Sequence, residues 1–193
     1  GVEVGPEIHG RYVEKYKFPM VIAVSQLDAE KTDWHNTIES LHKAFDKKPV
    51  VVQYPVNPGP SFNSFIDVKT MKMYKFTDDN GTRQEFEIPE DQKETAEKYR
   101  SELVEIAATA SEKLMDKYFE TGELSWDEMN EGLNLGFVNG DIYPIFCLSA
   151  KKDIGVKRIM EFIINVAPAP KEKAEGPTSL FFYKTAVEQH LGE

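Results

Sequence analysis

Two short runs carry the residue types that could do chemistry. Ser25-Gln26-Leu27-Asp28 follows the apolar stretch Met20-Val21-Ile22-Ala23-Val24, and Ser149-Ala150-Lys151 follows Ile142-Tyr143-Pro144-Ile145-Phe146-Cys147-Leu148. Apolar runs without alternation read as strands buried on both faces of a parallel sheet. In open α/β sheets, ligands bind beyond the carboxyl ends of such strands. Taken singly, Asp28 could cap a loop and Ser149 a helix. The pair, with a long insert between its members, is the more specific signal. The four histidines, His9, His35, His42 and His190, are scattered and do not read as a metal site. Cys147, inside an apolar run, reads as an inert structural thiol.

The elements that would position these runs can be read along the chain. Gly5-Pro6 opens a helix with Ile8, Tyr12 and Tyr16 on one side. The strand Met20 to Val24 follows. Asp33 caps a helix carrying Ile38, Leu41 and Phe45, and Pro49 with Val50-Val51-Val52 gives another buried strand. After Tyr54 the texture changes. A Pro/Gly loop leads to two short strands within Ser64 to Phe76, the turn Asp78-Asp79-Asn80-Gly81, and a strand over Gln84 to Ile88. Pro89 starts a long helix to about Phe119, ended by Gly122. Ser125 and Glu128 form a capping box for the next helix. The strand Ile142 to Leu148 precedes an amphipathic helix, Val156 to Val166, with Val156, Ile159, Met160 and Ile163 on one side. A linker from Pro170 and a strand over Ser179 to Thr185 close the sequence. The expected class is α/β, with segments 1–53 and 142–170 forming one layered unit, 54–141 an inserted α+β subdomain, and 171–193 a linker and a further strand.

Composition bounds the function. The 193 residues are 40% apolar with one cysteine, and the formal charge is −10. That balance argues against binding duplex nucleic acid or anionic membrane. The longest apolar runs are seven residues, too short to span a bilayer. A single cysteine and a polar start suggest a reducing, cytoplasmic setting. The charge is uneven: residues 89–131 hold 13 acidic and 5 basic residues, a net −8, leaving −2 for the rest. On one continuous helix, Glu90, Asp91, Glu94, Glu97, Glu102, Glu105, Glu112 and Asp116 fall within a sector about 140° wide. Thr109 with Glu112 could instead be a capping box that breaks this helix. The acidic sector is either a solvated face or a docking face for a basic partner.

The Ser25–Asp28 and Ser149–Lys151 runs resemble the two guanine-reading motifs of GTPases, Asn-Lys-x-Asp and Ser-Ala. Gly1-Val2-Glu3-Val4-Gly5, Gln53-Tyr54-Pro55-Val56, Leu103-Val104-Glu105, Ala107-Ala108-Thr109-Ala110, Ser149 to Val156 and Ala167-Pro168-Ala169-Pro170 resemble translation elongation factor G, in order and spacing. The insert is similar to that family's extra subdomain, called G′. The resemblance implies an incomplete P-loop GTPase-type sheet. It also implies a parent that couples GTP hydrolysis, with Mg²⁺, to ribosomal translocation in protein synthesis.

On this resemblance Asp28 pairs with the two N–H donors on one edge of guanine. Ala150 presents a backbone N–H to the guanine oxygen, Ser149 braces the loop, and Lys151 covers the base. Ser25 stands where the family has Asn, and loses an amide that ties the base to the phosphate loop. Gln26 stands where the family has Lys, and keeps a flat group without the charge. No Gly-x-x-x-x-Gly-Lys-Ser/Thr motif occurs, and no Gly-Lys pair at all. The phosphate loop, magnesium ligands and catalytic His would precede Gly1, so this chain alone is expected neither to bind GTP tightly nor to hydrolyse it. The acidic helix is expected to meet the basic C-terminal domain of the ribosomal stalk protein through Glu102, Glu105 and Glu112. A non-enzymatic stalk-binding module and a ribosome protection or recycling factor remain alternatives.

Overall fold

A computed structural model describes residues 4–46, 48–78, 81–169, 177 and 180. The linker and strand expected over 171–193 lie outside the described residues, 177 and 180 apart, as do Gly1 to Glu3 and Asp79-Asn80 of the expected turn.

The fold is mixed α/β and carries two sheets. Helix α1 (Val4–Tyr16) leads to strand β1 (Ile22–Val24), and helix α2 (Trp34–Ala44) to β2 (Pro49–Val51). Asp33 caps α2, its carboxylate accepting from the Asn36 N–H at 3.0 Å. Strands β3 (Gln53–Pro55), β4 (Ser64–Asp67), β5 (Lys72–Phe76) and β6 (Arg83–Phe86) form an antiparallel sheet in that order. Helices α3 (Glu90–Ala108), α4 (Glu112–Thr121) and α5 (Trp126–Asn139) follow, then β7 (Tyr143–Cys147) and α6 (Val156–Val166). Strand β7 inserts between β1 and β2 and pairs parallel with both, so the smaller sheet is closed by chain from either side of the antiparallel segment.

β7 is buried along its whole length, as its apolar run demands. β1 is not buried on both faces, as its equally apolar run suggested. It is an edge strand, Ala23 is exposed, and its neighbours are half-buried. Apolarity alone does not distinguish a central strand from an edge. The Ile8, Tyr12 and Tyr16 stripe of α1 is likewise exposed; Gly10 lies against Phe45, and Val13 packs on the same core. On α6, Ile159 and Phe162 pack against the core while Met160 and Ile163 are exposed.

The long acidic helix is two helices. α3 stops at Ala108 and α4 restarts at Glu112. Thr109 is not the cap, because its hydroxyl turns back to donate to the Ile106 carbonyl at 2.7 Å. Ser111 caps α4 instead, accepting from the Leu114 N–H. Glu112 therefore lies on a different helix from Glu102 and Glu105, and the single acidic sector does not extend to it. The Ser125/Glu128 capping box is present in both directions at the start of α5. α5 packs closely on α3: a Cβ at Gly132 would lie 2.2 Å from the Ala107 carbonyl oxygen.

Candidate functional site

The two runs singled out in the sequence meet at one end of the parallel sheet. Val24 of β1 is in register with Cys147 of β7, and the Leu148 N–H donates to the Val24 carbonyl at 3.0 Å. The chain leaves both strands side by side, which brings the loop that starts at Ser25 beside the loop that starts at Ser149.

The loop after β1 is pinned by Leu27. This side chain is fully buried with Phe62, Phe65 and Ile154. This leaves Gln26 and Asp28 displayed on either side. Gln26 adopts the left-handed conformation (φ 59°), which costs a side-chain-bearing residue about 1 kcal/mol or more. Its carbonyl is held by the Ala29 N–H at 3.0 Å and the Thr32 hydroxyl at 3.2 Å.

The loop after β7 is closed by reciprocal backbone bonds between Ser149 and Ile154, each 3.0 Å. Gly155 makes that closure possible. Its φ is +78°, and a Cβ there would sit 2.2 Å from the Cys147 carbonyl oxygen. Ser149 is completely buried, and its oxygen accepts from the Lys152 N–H at 3.3 Å. Its hydroxyl hydrogen goes to the carboxylate of Asp28. That bond is the main reason the Asp28 carboxyl titrates below its ordinary value, with Lys152 and Lys151 adding favourable charge.

Ser25, Gln26, Asp28, Ala150 and Lys151 line an open cavity of about 620 Å³, and Ser149 lies buried behind it. The sequence reading missed one wall, which includes Pro60 from the loop between β3 and β4. Lys152 holds that loop, donating from Nζ to the carbonyls of Pro60 at 2.8 Å and Phe62 at 3.2 Å. The Gly59 N–H donates to the Leu27 carbonyl at 2.7 Å. Pro58-Gly59-Pro60 was visible as a loop, but nothing local tells which distant carbonyl it meets.

The cavity thus offers the Asp28 carboxylate, cationic Lys151 and, at its margin, Glu30 around an open mouth. That arrangement suits a planar heterocycle with paired N–H donors on one edge. No group of three His, Cys, Asp or Glu able to hold a metal ion occurs among the described residues. The other candidates lie elsewhere. Glu102 and Glu105 are exposed on α3 beside a shallow cleft that also includes His42, and Glu112 is exposed in the first turn of α4.

No family model matches the chain. A solved structure does resemble it. The crystal structure of ttk003000868 from Thermus thermophilus matches with a TM-score of 0.78 at 27% identity, over 88% of this chain and 25% of that one. This chain therefore spans a quarter of the length of that neighbour. Its mixed α/β arrangement recurs there as part of a much larger protein. No described helix is long and apolar enough to cross a membrane.

Proposed function

We propose that this chain is part of an elongation factor G-like translational GTPase, and that the cavity at the ends of β1 and β7 takes the guanine base of GTP or GDP. The observation that carries this reading is the convergence of two sequence-distant loops on one cavity, with Asp28 ionised and braced by buried Ser149. A carboxylate accepts both N–H groups on one edge of guanine. Adenine has no such donor pair, and a bidentate contact of this kind is worth about 1–3 kcal/mol of discrimination. Ala150 meets the guanine oxygen, and Gln26 and Lys151 lie over the ring faces. The sheet is then a partial P-loop GTPase-type sheet, and the antiparallel segment with α3 to α5 is the G′ insert.

Phosphates supply most nucleotide affinity, through backbone N–H groups and Mg²⁺. This sequence has no phosphate-loop motif to provide them. The parent hydrolyses GTP in the cytoplasm and couples it to ribosomal translocation, while this chain alone is inactive. The exposed acids of α3 dock the basic C-terminal domain of the ribosomal stalk protein, with Glu112 on α4 as a separate contact.

The test is a titration of isotope-labelled chain with guanosine and with adenosine, followed by NMR. Guanosine should shift the amides of Ser25 to Asp28, Ala150 and Lys151, adenosine should not, and Asp28→Asn should abolish the difference. Equal responses to the two nucleosides, or shifts centred elsewhere, would refute the base site. Sub-micromolar GTP binding by calorimetry would refute the predicted inactivity of the isolated chain.

A further inference from the structure

A second cavity, of about 200 Å³, lies between the start of the antiparallel sheet and α6, lined by Gln53, Asp67, Lys69, Phe146, Arg158 and Phe162 among others. Phe146 faces it, whereas the next residue, Cys147, packs with Leu27. Neighbouring strand residues point to opposite faces, so this cavity is on the other side of the sheet from the Leu27 cluster.

Gln53 is 1% exposed. Its Oε1 accepts from the Cys147 N–H at 3.4 Å. A backbone N–H can only donate, so the orientation of the amide is fixed. Its Nε2 then points away with no acceptor among the described residues. A buried donor in this state is destabilising unless something accepts from it.

The charges around the cavity are equally one-sided. Asp67, 2% exposed, is fully engaged: Oδ1 accepts from the Lys69 and Thr70 N–H groups, and Oδ2 from Arg158 Nη2 at 3.0 Å. Arg100 reaches the same turn, donating to the Lys69 carbonyl at 2.8 Å. Three cations thus surround one buried carboxylate, and Glu161, 3.6 Å from Arg158, balances one more. Lys69 forms no ion pair among the described residues; its ammonium lies 5.8 Å from the Trp126 ring centroid. Burial pulls the Lys69 pKa down; the Asp67 carboxylate opposes this, and Arg158 and Arg100 add to it, so the net effect favours a bound anion beside Lys69. This surplus of donors occurs in a chain of net charge −10.

We propose that this cavity binds a short aliphatic carboxylate, its oxygens taken by Gln53 Nε2 and the Lys69 ammonium, its hydrocarbon end against Phe146, Phe162 and Val166. The size agrees. A 150 Å³ apolar cavity holds benzene, so this one accepts a ligand of roughly six to eight heavy atoms. The proposal does not depend on the base site.

Butyrate is the probe, titrated into isotope-labelled chain at constant ionic strength with chloride as the balancing anion. The expected result is a saturable shift of the Gln53 side-chain amide protons. Losing a charge-assisted hydrogen bond should weaken binding about tenfold or more, both for uncharged butyramide and in Lys69→Met. Lys69 is only half-buried, so that variant should fold, and the butyramide comparison needs no variant. Shifts that grow linearly with concentration, that chloride reproduces, or that butyramide and Lys69→Met leave unchanged would overturn the site.

Discussion

The buried hydroxyl of Ser149 donates to the carboxylate of Asp28, so the loop that ends β7 fixes the charge of the loop that ends β1. The bond favours the ionised form, because a carboxylate is a stronger acceptor than a neutral carboxyl group.

Ser149→Ala removes that bond and leaves the Lys152 N–H without its acceptor. The Asp28 carboxyl should move up toward its ordinary value of 3.8, read by carbon NMR titration. The sign for stability follows. A carboxyl depressed in the folded state stabilises above its unfolded pKa, and the benefit is lost as pH falls through the lower folded value. The wild-type chain should therefore lose more stability on acidification through that range than Ser149→Ala does. Near neutral pH the substitution should cost about 1–3 kcal/mol in urea unfolding. An Asp28 titration that does not move would show that Lys151 and Lys152 hold the charge instead.

Arg158 supplies the Oδ2 partner of Asp67, joining α6 to the end of β4. Arg158→Met strands a buried carboxylate that keeps only two backbone donors. The expected loss is about 3 kcal/mol, the low end for breaking a buried pair. Asp67→Asn should cost less, since the cations it leaves without a counter-charge, Arg158, Arg100 and Lys69, are only partly buried. The ranking of the two, by chemical denaturation, is the informative quantity; the reverse order would mean that the backbone turn at Lys69, not the ion pair, is what Asp67 sustains.

Gly132 of α5 packs directly against the backbone of Ala107 in α3. Gly132→Ala raises intrinsic helix propensity by about 1 kcal/mol. Its Cβ would nonetheless meet the Ala107 carbonyl, and overpacking of this kind costs about 1–3 kcal/mol. A net loss of stability, with helix content by circular dichroism unchanged, is expected. A stabilised variant would show that the two helices separate freely.

On the docking reading, Glu102→Lys with Glu105→Lys should weaken binding of the isolated basic stalk domain, and the wild-type affinity should fall as salt rises. Surface charges act mainly on the association rate, so stopped-flow mixing is the apt measurement. Binding indifferent to both the reversal and salt would remove α3 from the interface. Glu112→Lys should have an independent effect, because it projects from α4.

Much of this arrangement was legible in the sequence where the signal is local. The Ser125/Glu128 box, the Asp33 cap and the Gly122 stop are each set by residues a few positions apart. The helix break was legible in place but not in agent, since Thr109 and Ser111 both precede a glutamate and only the fold decides which hydroxyl turns forward. That Asp28 and Ser149 share one edge was readable from the two apolar runs they follow, and their roles there came from a family pattern. What could not be read was anything set by distant partners: Pro60 completing the cavity wall, Lys152 holding it, and Ala23 lying open at a sheet edge.

Only Val52 separates the last residue of β2 from the first of β3, and its carbonyl is held by the Val68 N–H at 3.0 Å. The chain passes from one sheet to the other without a slack segment. A rotation of the antiparallel sheet is therefore passed directly to β2, and through its sheet neighbour β7 to the loop that begins at Ser149.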